Sequence, residues 1–236
     1  MNTAAVIFDW DGTLYNSSYL LDEAILAAHR NLKLALPAAV SLCLFDSSID
    51  GANKLRRALE VLPKQMQRKL QREIAADFIR RERAAELFPD IENLLRRLRA
   101  QGSLLCIATG RERGRLSSDL AKFCLDDVFE ATVCAGEACA KPDPEMLLQL
   151  MHRLALPTDR MLFVGDSLHD EQAAHAAGMP FIRVAMSQRD RERTIFEATA
   201  PSAACAASLA LLIDRWRQSL AHIPKPVAGL SSQQPN

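Results

Sequence analysis

Four short apolar runs, at residues 4–8, 104–108, 161–164 and 181–184, alternate with stretches whose apolar residues recur at helical spacing. A weaker fifth run spans 128–133. Apolar runs of four or five residues are too short for a helix and suit strands buried on both faces. Such strands, separated by helices, build a parallel sheet covered on both sides. The helix ends agree. The pattern before the second run closes on Arg99, Ala100, Gln101 and Gly102, and that before the fourth closes on Ala177 and Gly178. Basic residues in a last turn, with glycine just past it, mark a helix C-terminus. The expected fold class is therefore α/β, with a doubly wound, Rossmann-like parallel-sheet core.

Residues 16–86 break the rhythm. No strand pattern is visible there, while Leu55, Leu59, Leu62, Ile74 and Phe78 recur at helical spacing. This segment reads as an inserted helical domain, with the core built from 1–15 and 87–222 and a Pro/Ser/Gln-rich, disordered tail at 223–236. Within the insertion, residues 54–83 carry ten Lys/Arg against Glu60, Glu73, Asp77 and Glu82. A solvated helical face is the simpler explanation, and attraction of an anionic substrate or partner is the alternative.

Length and composition narrow the class further. At 236 residues the chain can bury a full core, and its formal net charge of zero gives no global attraction for nucleic acid or an anionic membrane. Affinity for an anion must then be local. The six cysteines form no CxxC pair and no zinc-like cluster, and several lie in apolar runs, as small buried hydrophobes of a reducing compartment do. No run has the length of a membrane span or the form of a signal peptide, so a cytoplasmic protein without membrane or nucleic-acid partners is expected. Nothing in the chain marks an oligomeric state.

In an open α/β sheet, ligands bind beyond the carboxyl ends of the strands. The polar residues that terminate the runs are Asp9, followed by Asp11, Gly12 and Thr13; Thr109, followed by Gly110 and Arg111; Lys141, after the weaker run; and Asp166, followed by Ser167, His169 and Asp170. Crowded carboxylates repel one another unless a cation holds them or some are protonated. An oxygen-only donor set suits a hard cation, and Mg²⁺ fits best because it binds through few carboxylates plus substrate phosphate. Lys141 would add a positive charge, and the Thr109 hydroxyl could donate to a phosphoryl oxygen. One carboxylate is then free to serve as nucleophile and another as general acid/base. Residue types and positions yield a phosphoryl-handling site without assigning those roles.

The segments Asp9-Trp10-Asp11-Gly12-Thr13, Thr109, Lys141-Pro142-Asp143-Pro144 and Gly165-Asp166-Ser167-Leu168-His169-Asp170, in this order, resemble the four motifs of the haloacid dehalogenase-like hydrolase superfamily, in its phosphoglycolate phosphatase-like and beta-phosphoglucomutase-like branch. The resemblance implies that Asp9 attacks phosphorus to form an aspartyl-phosphate. Asp11 would protonate the leaving alcohol and later deprotonate the hydrolytic water. Thr109, Gly110 and Lys141 would contact the phosphoryl group. Mg²⁺ would lie on the Asp9 carboxylate, the Asp11 backbone carbonyl and the Asp166 carboxylate, with Asp170 behind them orienting Lys141. The 16–86 insertion resembles the family's helical cap, whose Gly-containing loop would be 49–54, with Lys54 a candidate substrate contact or simply part of a helix start.

Two departures from the pattern bear on substrate choice. Phosphoglycolate phosphatase relatives usually have Asn after the second-motif Thr, where this chain has Gly110 and then Arg111, a residue that would either contact substrate or face solvent. Asn16, followed by Ser17, stands where an acidic residue is frequent. The five histidines show no partner pattern and read as structural or solvated, and Met146, Met151 and Met161 fit core spacing. The leading function is Mg²⁺-dependent hydrolysis of a small phosphorylated metabolite. A sugar phosphomutase uses the same nucleophile, and a non-catalytic regulatory protein could keep the fold, although it would be expected to have lost Asp9, Asp11, Lys141 or Asp166. Asp11 speaks against dehalogenation, which needs no leaving-group acid.

Overall fold

The computed structural model describes residues 4–17, 19–44, 46, 49, 51–185 and 206–220. The disordered tail expected at 223–236 lies outside them, as do His222, Cys205 and Asp50. Five parallel strands form one sheet: β1 (Ala5–Phe8), β2 (Leu104–Glu112), β3 (Ala131–Ala135), β4 (Met161–Gly165) and β5 (Phe181–Arg183), in the order β3-β2-β1-β4-β5. The helices are α1 (Leu20–Asn31), α2 (Ala38–Leu44), α3 (Gly51–Glu60), α4 (Lys64–Ala84), α5 (Ile91–Ala100), α6 (Arg113–Lys122), α7 (Glu145–Leu154), α8 (Leu168–Ala177) and α9 (Ala206–Leu220).

The layering follows from strand periodicity. Successive side chains of β1 point to opposite faces, and every one of them is fully buried. Val6 and Phe8 join one cluster with Ile91, Leu95 and Leu98 of α5, Leu116 of α6, and Leu209 and Ile213 of α9. Ala5 and Ile7 join a second with Met146, Leu147 and Leu150 of α7 and Ala173, Ala174 and Ala177 of α8. The helical stop at Gly178 is as read from sequence, in left-handed backbone at φ +66°.

Two strand boundaries differ from expectation. The weak run at 128–133 becomes a strand only at Ala131–Ala135, because Val128 is buried in the preceding loop rather than paired. The second run continues past Ala108 to Glu112, with a register irregularity between those two residues. An apolar count stops at Ala108 because Thr109, Gly110 and Arg111 occupy the irregular end of β2, where backbone pairing continues with polar residues.

Among the described residues, 16–86 contains helices and no strand. Ala24, Ile25 and Ala28 of α1, Val40 and Leu44 of α2, Ala58 of α3, and Leu70 and Ile74 of α4 form a separate hydrophobic cluster. The insert joins the sheet through a short antiparallel crossing. Tyr15 bridges Leu87, Asn16 N–H donates to Glu86 O at 3.0 Å, and Phe88 N–H donates to Leu14 O at 3.0 Å. Of the ten basic residues at 54–83, Lys54 is buried and Arg81 partly so, while the other eight are exposed, as a solvated face requires.

Candidate functional site

Asp9 directly follows the central strand, and its N–H donates to Val164 O at 2.9 Å. Since β1 lies between β2 and β4, residues leaving those strands flank Asp9 on either side. Thr109, Asp166 and Asp170, together with Lys141 from the loop after β3, line a cavity of about 770 Å³ with Asp9 and Asp11. Leu21, Asp22, Ile49, Gly51, Ala52, Lys54 and Phe78 of the helical insert line its other wall.

Lys141 organises the floor. Its Nζ lies 2.6 Å from Asp9 Oδ1 and 2.6 Å from Asp170 Oδ1, and it donates to Ala108 O at 3.2 Å. Burial pushes the Asp9 carboxyl up to about 7; Lys141 pulls it down, while the negative charges of Asp170 and Asp11 push it further up. Burial works against the Lys141 ammonium, yet Asp170 and Asp9 outweigh it and hold the group above its ordinary value. Lys141 therefore stays charged at neutral pH.

The carboxylate of Asp170 is itself fixed. Ser167 Oγ donates to Asp170 Oδ2 at 2.6 Å, Ser167 N–H donates to the same oxygen at 3.0 Å, and Asp170 N–H donates back to Ser167 Oγ at 3.2 Å. This capping box starts α8 and aims Asp170 at Lys141. Close approach sets the glycines here. A Cβ on Gly165 would lie 2.6 Å from Asp170 Cβ, and one on Gly12, at φ +83°, would lie 2.3 Å from Asp166 Oδ2.

Oxygens of Asp9, Asp166 and Asp170 lie within 4.8 Å of one another, a donor set suited to a hard divalent cation. Asp170 is already engaged by Lys141 and Ser167. Lys141 also engages Asp9, and Thr13 Oγ1 lies 3.5 Å from Asp166 Oδ1. Around the cavity the described carboxylates are Asp9, Asp11, Asp22, Glu112, Asp166 and Asp170, against Lys54, Arg111, Arg115, Lys141 and Arg183.

Thr109 is buried at the cavity wall, and its Oγ1 accepts from Arg111 N–H at 3.1 Å. Gly110 beside it is exposed. Asp11 Oδ1 accepts from Ser17 Oγ at 2.5 Å and from Arg111 Nη1 at 3.0 Å. Arg111 does not face open solvent: it lines the cavity wall, buried against Asp11, Glu82 and Asp119. Lys54 lines the cavity, but its charge is balanced by Asp22 at 3.2 Å, and it donates to Leu44 O. Gly51 both lines the cavity and opens α3, and Ile49, Ala52 and Lys54 line the cavity with it.

Asp22, Glu82 and Asp119, the partners of these cations, were not legible in the sequence. All three lie in helices, and only Glu82 falls within the 54–83 stretch read as a solvated face. His169 is half-buried and lines the cavity, His29 is buried with Nδ1 2.8 Å from Ile25 O, and His152 and His175 are exposed. Met146 and Met161 are core residues, as expected. Cys43, Cys106 and Cys134 are buried and Cys124 and Cys139 exposed.

The family model for haloacid dehalogenase-like hydrolases matches residues 6–184. The chain belongs to this family. A phosphoglycolate phosphatase of Yersinia pestis is 33% identical over 186 residues, covering 75% of this chain and 78% of the relative. One from Mannheimia succiniciproducens is 31% identical over 182 residues, covering 72% and 80%. Among solved structures, a candidate beta-phosphoglucomutase from Thermotoga maritima superposes with a TM-score of 0.69 at 20% identity, over 90% of this chain and 99% of that one. The parallel five-stranded sheet is thus the family fold, and the four motifs sit where that fold brings strand ends together.

Proposed function

We propose that the chain is a Mg²⁺-dependent phosphatase that cleaves small phosphate monoesters through an aspartyl-phosphate on Asp9. One observation carries the reading: Asp9 is buried at the end of the central strand, held by Lys141 at 2.6 Å, with an Asp166 oxygen close by. The set matches what in-line attack on phosphorus requires. A carboxylate is fixed beside a cation, a second carboxylate, Asp11, stands two residues on, and a hydroxyl and an ammonium are placed for the phosphoryl oxygens.

In this reading the Asp9 carboxylate forms a bond to phosphorus while the ester oxygen leaves, taking its proton from Asp11. Asp11, now ionised, removes a proton from water, which attacks phosphorus, frees phosphate and restores Asp9. Thr109 and Lys141 orient the phosphoryl oxygens, with the exposed Gly110 leaving room for their approach. Mg²⁺, held by Asp9, Asp166 and the Asp11 carbonyl, would neutralise phosphoryl charge. Asp170 keeps Lys141 in place. Residues 16–86 act as a cap over a core of 1–15 and 87–222, and the protein works in the cytoplasm on a soluble metabolite. The names of the curated relatives make phosphoglycolate the first substrate to try.

The test uses purified full-length chain with Mg²⁺, p-nitrophenyl phosphate and a panel of phosphorylated metabolites. Release of phosphate that EDTA abolishes, and a fall in kcat of at least about 10³-fold in Asp9→Asn, are expected. Retained hydrolysis in Asp9→Asn would falsify the nucleophile assignment. Isomerised sugar phosphate without free phosphate would replace the phosphatase reading with a mutase.

A further inference from the structure

Arg111 makes a contact set that phosphoryl transfer as described above leaves unexplained. Its side chain is 5% exposed, and its three guanidinium nitrogens face three different carboxylates. Nη1 lies 3.0 Å from Asp11 Oδ1, Nη2 lies 2.8 Å from Glu82 Oε1 and Nε lies 2.6 Å from Asp119 Oδ2. The carboxylates come from the turn after β1, the end of α4 and α6 respectively. Each anchor is supported in turn. Trp10 Nε1 donates to Asp119 Oδ2 at 3.1 Å, Arg115 also pairs with Glu82, and Tyr15 Oη donates to Glu82 O at 2.7 Å. The Tyr15 ring lies under the guanidinium, 5.1 Å from Cζ.

A planar guanidinium presents its donors in a fixed fork, so a hydrogen bond to Glu82 together with the ion pair to Asp119 restricts the direction of the third leg. That third leg ends on Asp11. Ser17 Oγ reaches the same oxygen, Oδ1. Three of the five guanidinium N–H groups are thus directed at carboxylates of the protein itself. We propose that Arg111 is a positioning residue for the Asp11 carboxylate, tying its orientation to the end of the cap helix α4 through Glu82. The inference rests on the reading of Asp11 as the acid/base. It predicts that proton delivery to the leaving group is impaired when Arg111 or its anchor on α4 is altered.

Leaving groups separate this from a merely structural role. An alkoxide leaves only with a proton, whereas p-nitrophenolate leaves well without one. The steps up to leaving-group departure are reported by kcat/KM. For Arg111→Gln we expect kcat/KM to fall about 100-fold on the alkyl esters phosphoglycolate and glycerol 3-phosphate, but less than about 5-fold on p-nitrophenyl phosphate, with the alkyl loss in kcat rather than KM. Arg111→Lys, which keeps the charge and one contact, should recover part of the alkyl loss. Glu82→Gln, near the end of α4, should show the same selectivity at about 5- to 10-fold and serves if Arg111→Gln does not fold. Equal losses on both ester classes, or none, overturn the proposal. Asp11→Asn is the control for the underlying reading. If it loses no alkyl selectivity, the acid/base assignment fails. If it does and the Arg111 and Glu82 variants do not, the positioning role alone fails.

Discussion

At the scale of single residues, the site is governed by burial. Asp9 is 5% exposed, and its carboxyl sits near 7 despite an ammonium at 2.6 Å. Its consequence for the metal-free protein has a definite sign. Below about 4, folded and unfolded chains both carry the Asp9 proton. Between there and about 7 only the folded chain keeps it, so folded protein binds more protons and stability falls as pH rises through that window. Lys141 is charged in both states over this range and adds no slope. In EDTA, the melting temperature of wild type minus that of Asp9→Asn should therefore decline from pH 5 to pH 7.5 and level off above. A difference that stays flat across the window would show that Asp9 keeps an ordinary pKa. The chemistry-bearing residues were legible at this scale, because Asp9, Thr109 and Asp166 each terminate an apolar run and Lys141 follows one. Their partners were not. Asp119 meets Trp10 across 109 positions of sequence and Glu82 meets Arg111 across 29, and neither spacing leaves a periodic trace.

At the scale of elements, α8 shows how a helix start doubles as part of the site. Ser167 caps the helix and holds Asp170 Oδ2, while Asp170 Oδ1 faces Lys141. Ser167→Ala should cost about 1 kcal/mol in denaturant titrations from the lost cap. It should also lower kcat several-fold, because Asp170 loses one of the groups that aim it at Lys141. A normal kcat beside the expected stability loss would mean that the remaining backbone contact suffices to aim the carboxylate. The elements themselves followed well from sequence where apolar periodicity was strong. They failed at the end of β2, where polar residues continue the strand beyond its apolar run, and before β3, where Val128 is buried without joining the ladder.

At the scale of the whole molecule, the insert has a hydrophobic cluster that shares no residue with the two sheet faces. Leu70, fully buried on α4, belongs to this cluster, and Leu70→Ala should destabilise it by about 2–5 kcal/mol. Hydrogen exchange should then quicken in α1 and α4 while β1 and β4 keep their protection. Uniform quickening would show instead that insert and core unfold as one unit. The sequence by itself determined the α/β class, the helical character of 16–86 and the identity of the polar residues at the strand ends, because periodicity and run length are local properties of a chain. Tertiary structure alone decided the order β3-β2-β1-β4-β5, which brings the end of β2 and the segments after β1, β3 and β4 around Asp9. It also decided that Arg111 and Lys54 would be spent on carboxylates instead of standing open. Which charge meets which depends on how helices distant in sequence are packed, and on the cost of burying a cation unpaired.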